Sequence, residues 1–90
     1  MLENEELSKM GYVLCSKRRQ EIINYLYKNK IQIPSKIAKE TDILPNHISF
    51  YLRQLKENNL VICINEENRK GRLYKLTDIG LKIAEEINEE

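Results

Sequence analysis

The sequence predicts a mainly α-helical fold with a small β-sheet, an α+β domain, and three observations carry that prediction. Apolar residues recur at helical spacing in several separate stretches, among them Ile22, Ile23 and Leu26, then Ile79, Ile83 and Ile87. Prolines at 34 and 45 each stand where a helix would take its first residue, so two short helices follow one another closely. The run from Leu60 to Ile64 and the alternating run from Arg72 to Leu76 read instead as paired strands.

Each element follows from its own signals. Residues 3–10 form a short helix with Leu7 and Met10 on one side, interrupted by Gly11. Ser16 is an N-cap for a helix from about Lys17 to Lys28, whose inward stripe Cys15 extends backwards. Ile31 to Ile33 is a short β-branched strand. Pro34 opens a helix to about Thr41 that turns Ile37 and Ala38 inward, and Pro45 opens another to about Asn58. Two short helices joined by three or four residues make a helix-turn-helix. Asn65 to Gly71 is a polar loop between the two strands, too long for a tight hairpin but ending in glycine. Thr77 caps the last helix. The order is helix, strand, helix, helix, strand, strand, helix, that of a winged helix-turn-helix. Residues 12–90 are assigned to that domain and residues 1–11 to a terminal segment offering a dimer contact: Leu7 and Met10, with Leu81 and Ala84 off the Ile79/Ile83/Ile87 stripe, leave apolar groups for a partner.

Ninety residues leave little room for a second core, and a core this thin would profit from a dimer partner. The only thiols, Cys15 and Cys63, lie in apolar runs and read as buried structural cysteines. No signal peptide or membrane span is visible, so a cytoplasmic protein with no membrane partner is expected. No metal or cofactor is expected either. The net charge of +1 argues against a polyanion partner until it is divided along the chain. Residues 1–10 sum to −2 and residues 77–90 to −4, whereas residues 11–76 carry +7. The local field steers a polyanion, and here it belongs to a basic body between acidic ends.

At 100° per residue, Ile48, Leu52 and Leu55 share the inner side of the helix that starts at Pro45, with Tyr51 at its edge. The outer side carries Asn46, Phe50, Arg53 and Glu57, flanked by His47, Ser49 and Gln54. A helix in a DNA major groove presents such a face, N-terminal residues first. Asn46 suits adenine, Arg53 suits guanine or a phosphate, and Ser49 and His47 can hydrogen-bond either base or phosphate. Phe50 is the oddity. It either contacts a thymine methyl or folds back against its own domain. Arg69, Lys70 and Arg72, around Gly71, form a flexible cationic loop tip suited to phosphates or a minor groove. Ser35 and Lys36 open the first helix of the pair, where backbone N–H groups already point outward to a phosphate. Lys17, Arg18 and Arg19 oppose their helix dipole, which hints at a compensating group such as Glu21. No nucleophile–base pair, glycine-rich phosphate loop or carboxylate pair is recognisable, and the single histidine has no second ligand, so an enzyme is not expected.

Four stretches carry a resemblance to a known family. They are SKRRQEII at residues 16–23, SKIAKET at 35–41, ISFYLRQLKENNLV at 48–61 and GRLYKLTDIG at 71–80. Together they resemble winged-helix regulators of the ArsR/MarR-like superfamily, especially small archaeal-type members, over roughly residues 12–87. The resemblance implies binding of double-stranded DNA, commonly as a homodimer, through Ser49, Phe50 and Arg53 and through Arg69, Lys70 and Arg72. Phe50 departs from the pattern, which is often basic there. Asn59 replaces the usual glycine, a change that a left-handed turn tolerates. The cysteine-rich motif of metal-sensing members is absent. The competing reading is a winged-helix module that binds protein, which would want a neutral wing and an apolar recognition face; only Phe50 fits it.

Overall fold

The structure is a computed structural model describing residues 2–89. It contains α1 (Asn4–Leu14), α2 (Lys17–Asn29), β1 (Ile31–Gln32), α3 (Pro34–Thr41), α4 (Pro45–Glu57), β2 (Val61–Cys63), β3 (Tyr74–Leu76) and α5 (Asp78–Ile87). The strands form one antiparallel sheet in the order β1-β3-β2. Ile31 pairs with Lys75 on one side of β3, and Ile62 pairs with Lys75 on the other. The expected α+β winged helix-turn-helix is therefore observed, with β1 serving as a third strand.

The core is aliphatic. Ile22, Ile23 and Leu26 of α2 meet Ile37 and Ala38 of α3, Ile48, Leu52 and Leu55 of α4, and Ile83 of α5. No polar side chain is buried among the described residues, so hydrophobic burial acts here without the cost of desolvating polar groups. Polar contacts instead lace the helices together at the rim. The Tyr25 hydroxyl donates to the Glu40 carboxylate at 2.6 Å, joining α2 to α3. Desolvation, and then that carboxylate, push the Tyr25 pKa up to about 12. Glu6 accepts from the Glu3 N–H and faces Lys82 of α5 at 3.2 Å, and both lower its pKa.

The caps are as the sequence indicates. Ser16 accepts from the Arg19 N–H and Thr77 from the Gly80 N–H. Asn59 has φ +59°, and the N–H groups of Asn59 and Leu60 return to the carbonyls of Lys56 and Leu55. Those paired bonds close α4 in a Schellman turn.

Four expectations need correction. Gly11 does not interrupt the first helix, which runs on to Leu14. A helix-interior glycine costs only about 1 kcal/mol, and Val13 beyond it is fully buried. The assigned boundary between residues 11 and 12 thus falls within α1. Cys15 is exposed and Cys63 half-buried, so neither is a core thiol; Cys15 lies at the C-terminal end of α1, outside the α2 stripe. Ala84 is fully buried and Met10 packs on the core, which leaves Leu7 and Leu81 as the exposed apolar groups of that set. Gln54 turns from the outer face toward α2, where it accepts from the Arg19 guanidinium.

Gly80 has a steric duty. A Cβ at this position would collide with the Leu60 carbonyl oxygen, a backbone atom that cannot swing aside. Gly80→Ala should therefore lower stability by about 1–3 kcal/mol, the usual cost of overpacking. Urea unfolding should show a reduced midpoint with an unchanged slope; an unchanged midpoint would contradict the close seating of α5 on Leu60.

Candidate nucleic-acid interface

The two helices of the helix-turn-helix are joined through Asp42, Ile43 and Leu44. Asp42 takes the left-handed conformation (φ +60°, ψ +35°), and the Ile43 N–H returns to the Ala38 carbonyl. Ile43 is buried beneath the turn. That anchor sets α4 against α3 and points the N-terminus of α4 outward.

Both helices begin with proline, which has no N–H to lose at that position. At the start of α3, the N–H groups of Lys36 and Ile37 return to the Ile33 carbonyl. At the start of α4 the first bond back is from Ile48 to Leu44. The amides of Asn46 and His47 consequently stand at a positive helix end without a backbone acceptor among the described residues. Pro45, Asn46, His47, Ser49, Phe50 and Arg53 are all exposed, as are Ser35 and Lys36. The Ser49 hydroxyl donates to the Pro45 carbonyl at 3.3 Å, a long bond that is easily exchanged.

An open groove of about 560 Å³ lies between the start of α3, one flank of α4 and the wing. Six of the expected contact residues line it: Ser35, Ser49, Arg53, Arg69, Lys70 and Arg72. Pro45, Asn46, His47 and Phe50 lie outside that lining, toward the free end and opposite flank of α4, and Lys36 of α3 also lies outside it. The groove collects cations from two places in the sequence, Arg53 and Lys56 on α4 and Arg69, Lys70 and Arg72 on the wing.

The wing is internally bonded, where the sequence suggested a flexible tip. The Asn65 carbonyl oxygen of the side chain accepts from the Leu73 N–H at 2.7 Å, and its amide donates to the Gly71 carbonyl at 3.1 Å. Gly71 has φ +66° with open space around its Cα, so the backbone angle rather than crowding asks for glycine. Arg72 does not simply project. Its guanidinium donates to the carbonyls of Asn68 (2.7 Å) and Glu66 (3.1 Å), clasping the loop from inside. Arg69 and Lys70 remain exposed at the tip. Lys56 pairs with Glu66, which fastens the wing to α4 and neutralises one of the two loop carboxylates.

Three residues whose part in the site the sequence reading did not anticipate thus shape it: Asn65, Lys56 and, through Gln54, Arg19. Asn65 had a readable signal, an Asx residue directly after a strand. Lys56 and Arg19 had none, because their partners lie 10 and 35 residues away. The hint that the basic run at the start of α2 finds a carboxylate is met by Arg18 and Glu21, 3.0 Å apart. Among the described residues no three His, Cys, Asp or Glu side chains cluster to hold a metal, and no helix is long and apolar enough to cross a membrane.

No protein-family model and no curated protein matches the chain. Among solved structures it is similar to NadR, a MarR-family winged-helix regulator crystallised in complex with 4-hydroxyphenylacetate. The TM-score is 0.75 and the identity 26%, over 93% of this chain and 63% of that one. The chain therefore spans less than two thirds of NadR. The likeness supports a MarR-like winged-helix fold.

Proposed function

We propose that this protein is a sequence-specific, double-stranded-DNA-binding transcriptional regulator acting in the cytoplasm, without catalysis or a cofactor. The observation that carries the reading is the convergence of Ser35, Ser49, Arg53, Arg69, Lys70 and Arg72 around one open groove. In this reading α4 enters the major groove with Asn46 and His47 leading, and Asn46 and Arg53 meet base edges. Ser35 and Lys36 hold a phosphate at the start of α3, and Arg69 and Lys70 follow the backbone or the minor groove. A protein-docking module would present an apolar recognition face, and on the outer side of α4 only Phe50 is apolar.

Residues 12–90 are the DNA-binding domain in this reading, and residues 1–11 contribute to a homodimer. Leu7, Leu14 and Leu81 leave apolar surface exposed on α1 and α5, which pack side by side. A two-fold dimer would place two α4 helices on half-sites about one helical turn apart. Light scattering at high micromolar concentration should return twice the chain mass. A monomeric mass, both free and on DNA, would overturn the dimer.

Duplex binding should weaken steeply with salt, because each neutralised phosphate releases counterions. Fluorescence anisotropy across several salt concentrations should show Arg69→Ala with Lys70→Ala flattening the log–log slope by about one unit per lost phosphate contact. Arg72→Ala should do more, because it also unclasps the wing: amide exchange at residues 71–73 should quicken in this variant and not in the tip variants. No binding at low salt by folded protein would remove the proposal.

Base reading separates from backbone contact. Asn46→Ala and Arg53→Ala should each cost on the order of 1–3 kcal/mol on a site selected from random duplexes, and relax preference at particular base pairs. Both side chains are exposed, so stability should hardly change. Unaltered affinity and preference on the selected site would exclude base reading by α4.

A further inference from the structure

Phe50 is 49% exposed on the outer face of α4, and no core residue covers it. Its ring meets Tyr51 edge-to-face, with centroids 5.5 Å apart and planes at 66°. Tyr51 is itself packed on the core, so the Phe50 ring is braced rather than loose. Folding back into the domain, one of the two courses open from sequence, is therefore not what the chain does. The favoured helical rotamers lean a side chain toward the N-terminal turn, here toward Asn46 and His47 at the end of α4 that leads.

Asn46, Phe50 and Arg53 then form one row along the helix. At 1.5 Å per residue the row spans about 10 Å, roughly three base-pair steps of duplex. A phenyl ring has no donor or acceptor, so it cannot read a hydrogen-bond pattern. One base presents an apolar group at the major-groove edge, thymine with its C5-methyl. A braced, half-open ring loses little entropy on covering that methyl, and both surfaces leave water.

Resting on the DNA-binding reading above, we propose that Phe50 is a specificity-determining residue that selects thymine by its C5-methyl group, at a position between the bases met by Asn46 and Arg53. The site selected from unmodified random duplexes should hold a fixed thymine in each half-site. Replacing that thymine with deoxyuridine removes the methyl and leaves base pairing intact. In anisotropy titrations with the full chain, this change should weaken binding about fourfold, the worth of burying one methyl group. Deoxyuridine elsewhere in the half-site should cost nothing. Phe50→Ala should bind the thymine and deoxyuridine duplexes alike, with the salt slope of the wild type. The deoxyuridine arm uses unaltered protein, so it does not depend on how the variant folds. If wild-type protein selects a site yet binds its deoxyuridine forms equally well at every position, Phe50 does not read thymine, while DNA binding stands. If the deoxyuridine penalty persists in Phe50→Ala, another group reads the methyl and the assignment fails. If no duplex is bound at all, the DNA-binding reading falls and this inference with it.

Discussion

The Leu60 carbonyl is the point on which the arrangement of the domain depends. It accepts from the Thr77 N–H at 3.1 Å, and Gly80 sits against it so closely that an added Cβ would force the backbone to shift. Leu60 is also the residue whose N–H closes α4, and whose fully buried side chain enters the core. The end of α4, the start of β2, the turn at Thr77 and the first turn of α5 therefore share one residue. The Thr77 hydroxyl adds a second tie, donating to the Asn59 carbonyl at 2.7 Å. With α4 fixed at this end, its opposite end is the one left free to project.

The fold was largely legible because its signals are local. Pro34, Pro45, Ser16 and Thr77 mark helix starts through chemistry that needs no distant partner. The stripes Ile22/Ile23/Leu26 and Ile48/Leu52/Leu55 fall on buried faces by periodicity alone. The errors have the opposite origin. Gly11 looked like a stop, but packing of Val13 and Leu2 outweighs the weak helix preference of one residue. Ala84 looked free because Ile79, Ile83 and Ile87 defined the stripe; a small residue beside that stripe is nonetheless where another helix comes close, and α5 meets both α1 and α2. The apolar neighbours of Cys15 in sequence do not surround it in space.

The site was legible in composition more than in geometry. Dividing a +1 chain into acidic ends and a basic body singled out a stretch several of whose cations line the groove. What a charge count does not separate is a cation offered to a partner from one consumed by the fold. Arg72 is largely consumed by the Asn68 and Glu66 carbonyls, and Lys56 by the Glu66 carboxylate. Arg69 and Lys70 are left at the tip. An exposed pair such as Lys56–Glu66 is worth little as stability; what it does is occupy the Lys56 charge at the contact between α4 and the wing.

Arg19 shows the same division between the surface and the fold. Its guanidinium lies 3.7 Å over the Tyr12 ring and donates to the Tyr12 carbonyl at 2.7 Å and to Gln54 at 3.3 Å. One side chain of α2 thus holds both α1 and α4, and the Lys9 ammonium of α1 donates to the Asn58 carbonyl at 2.6 Å at the far end of α4. A cation near the C-terminal carbonyls complements the helix dipole there. These ties make α1 part of the frame that aims α4, although the sequence set residues 1–11 apart as a terminal segment with a dimer contact. In a dimer joined through α1 and α5, the separation of the two α4 helices would then follow from rigid packing within each chain. Half-site spacing would be a property of the same contacts that stabilise the fold.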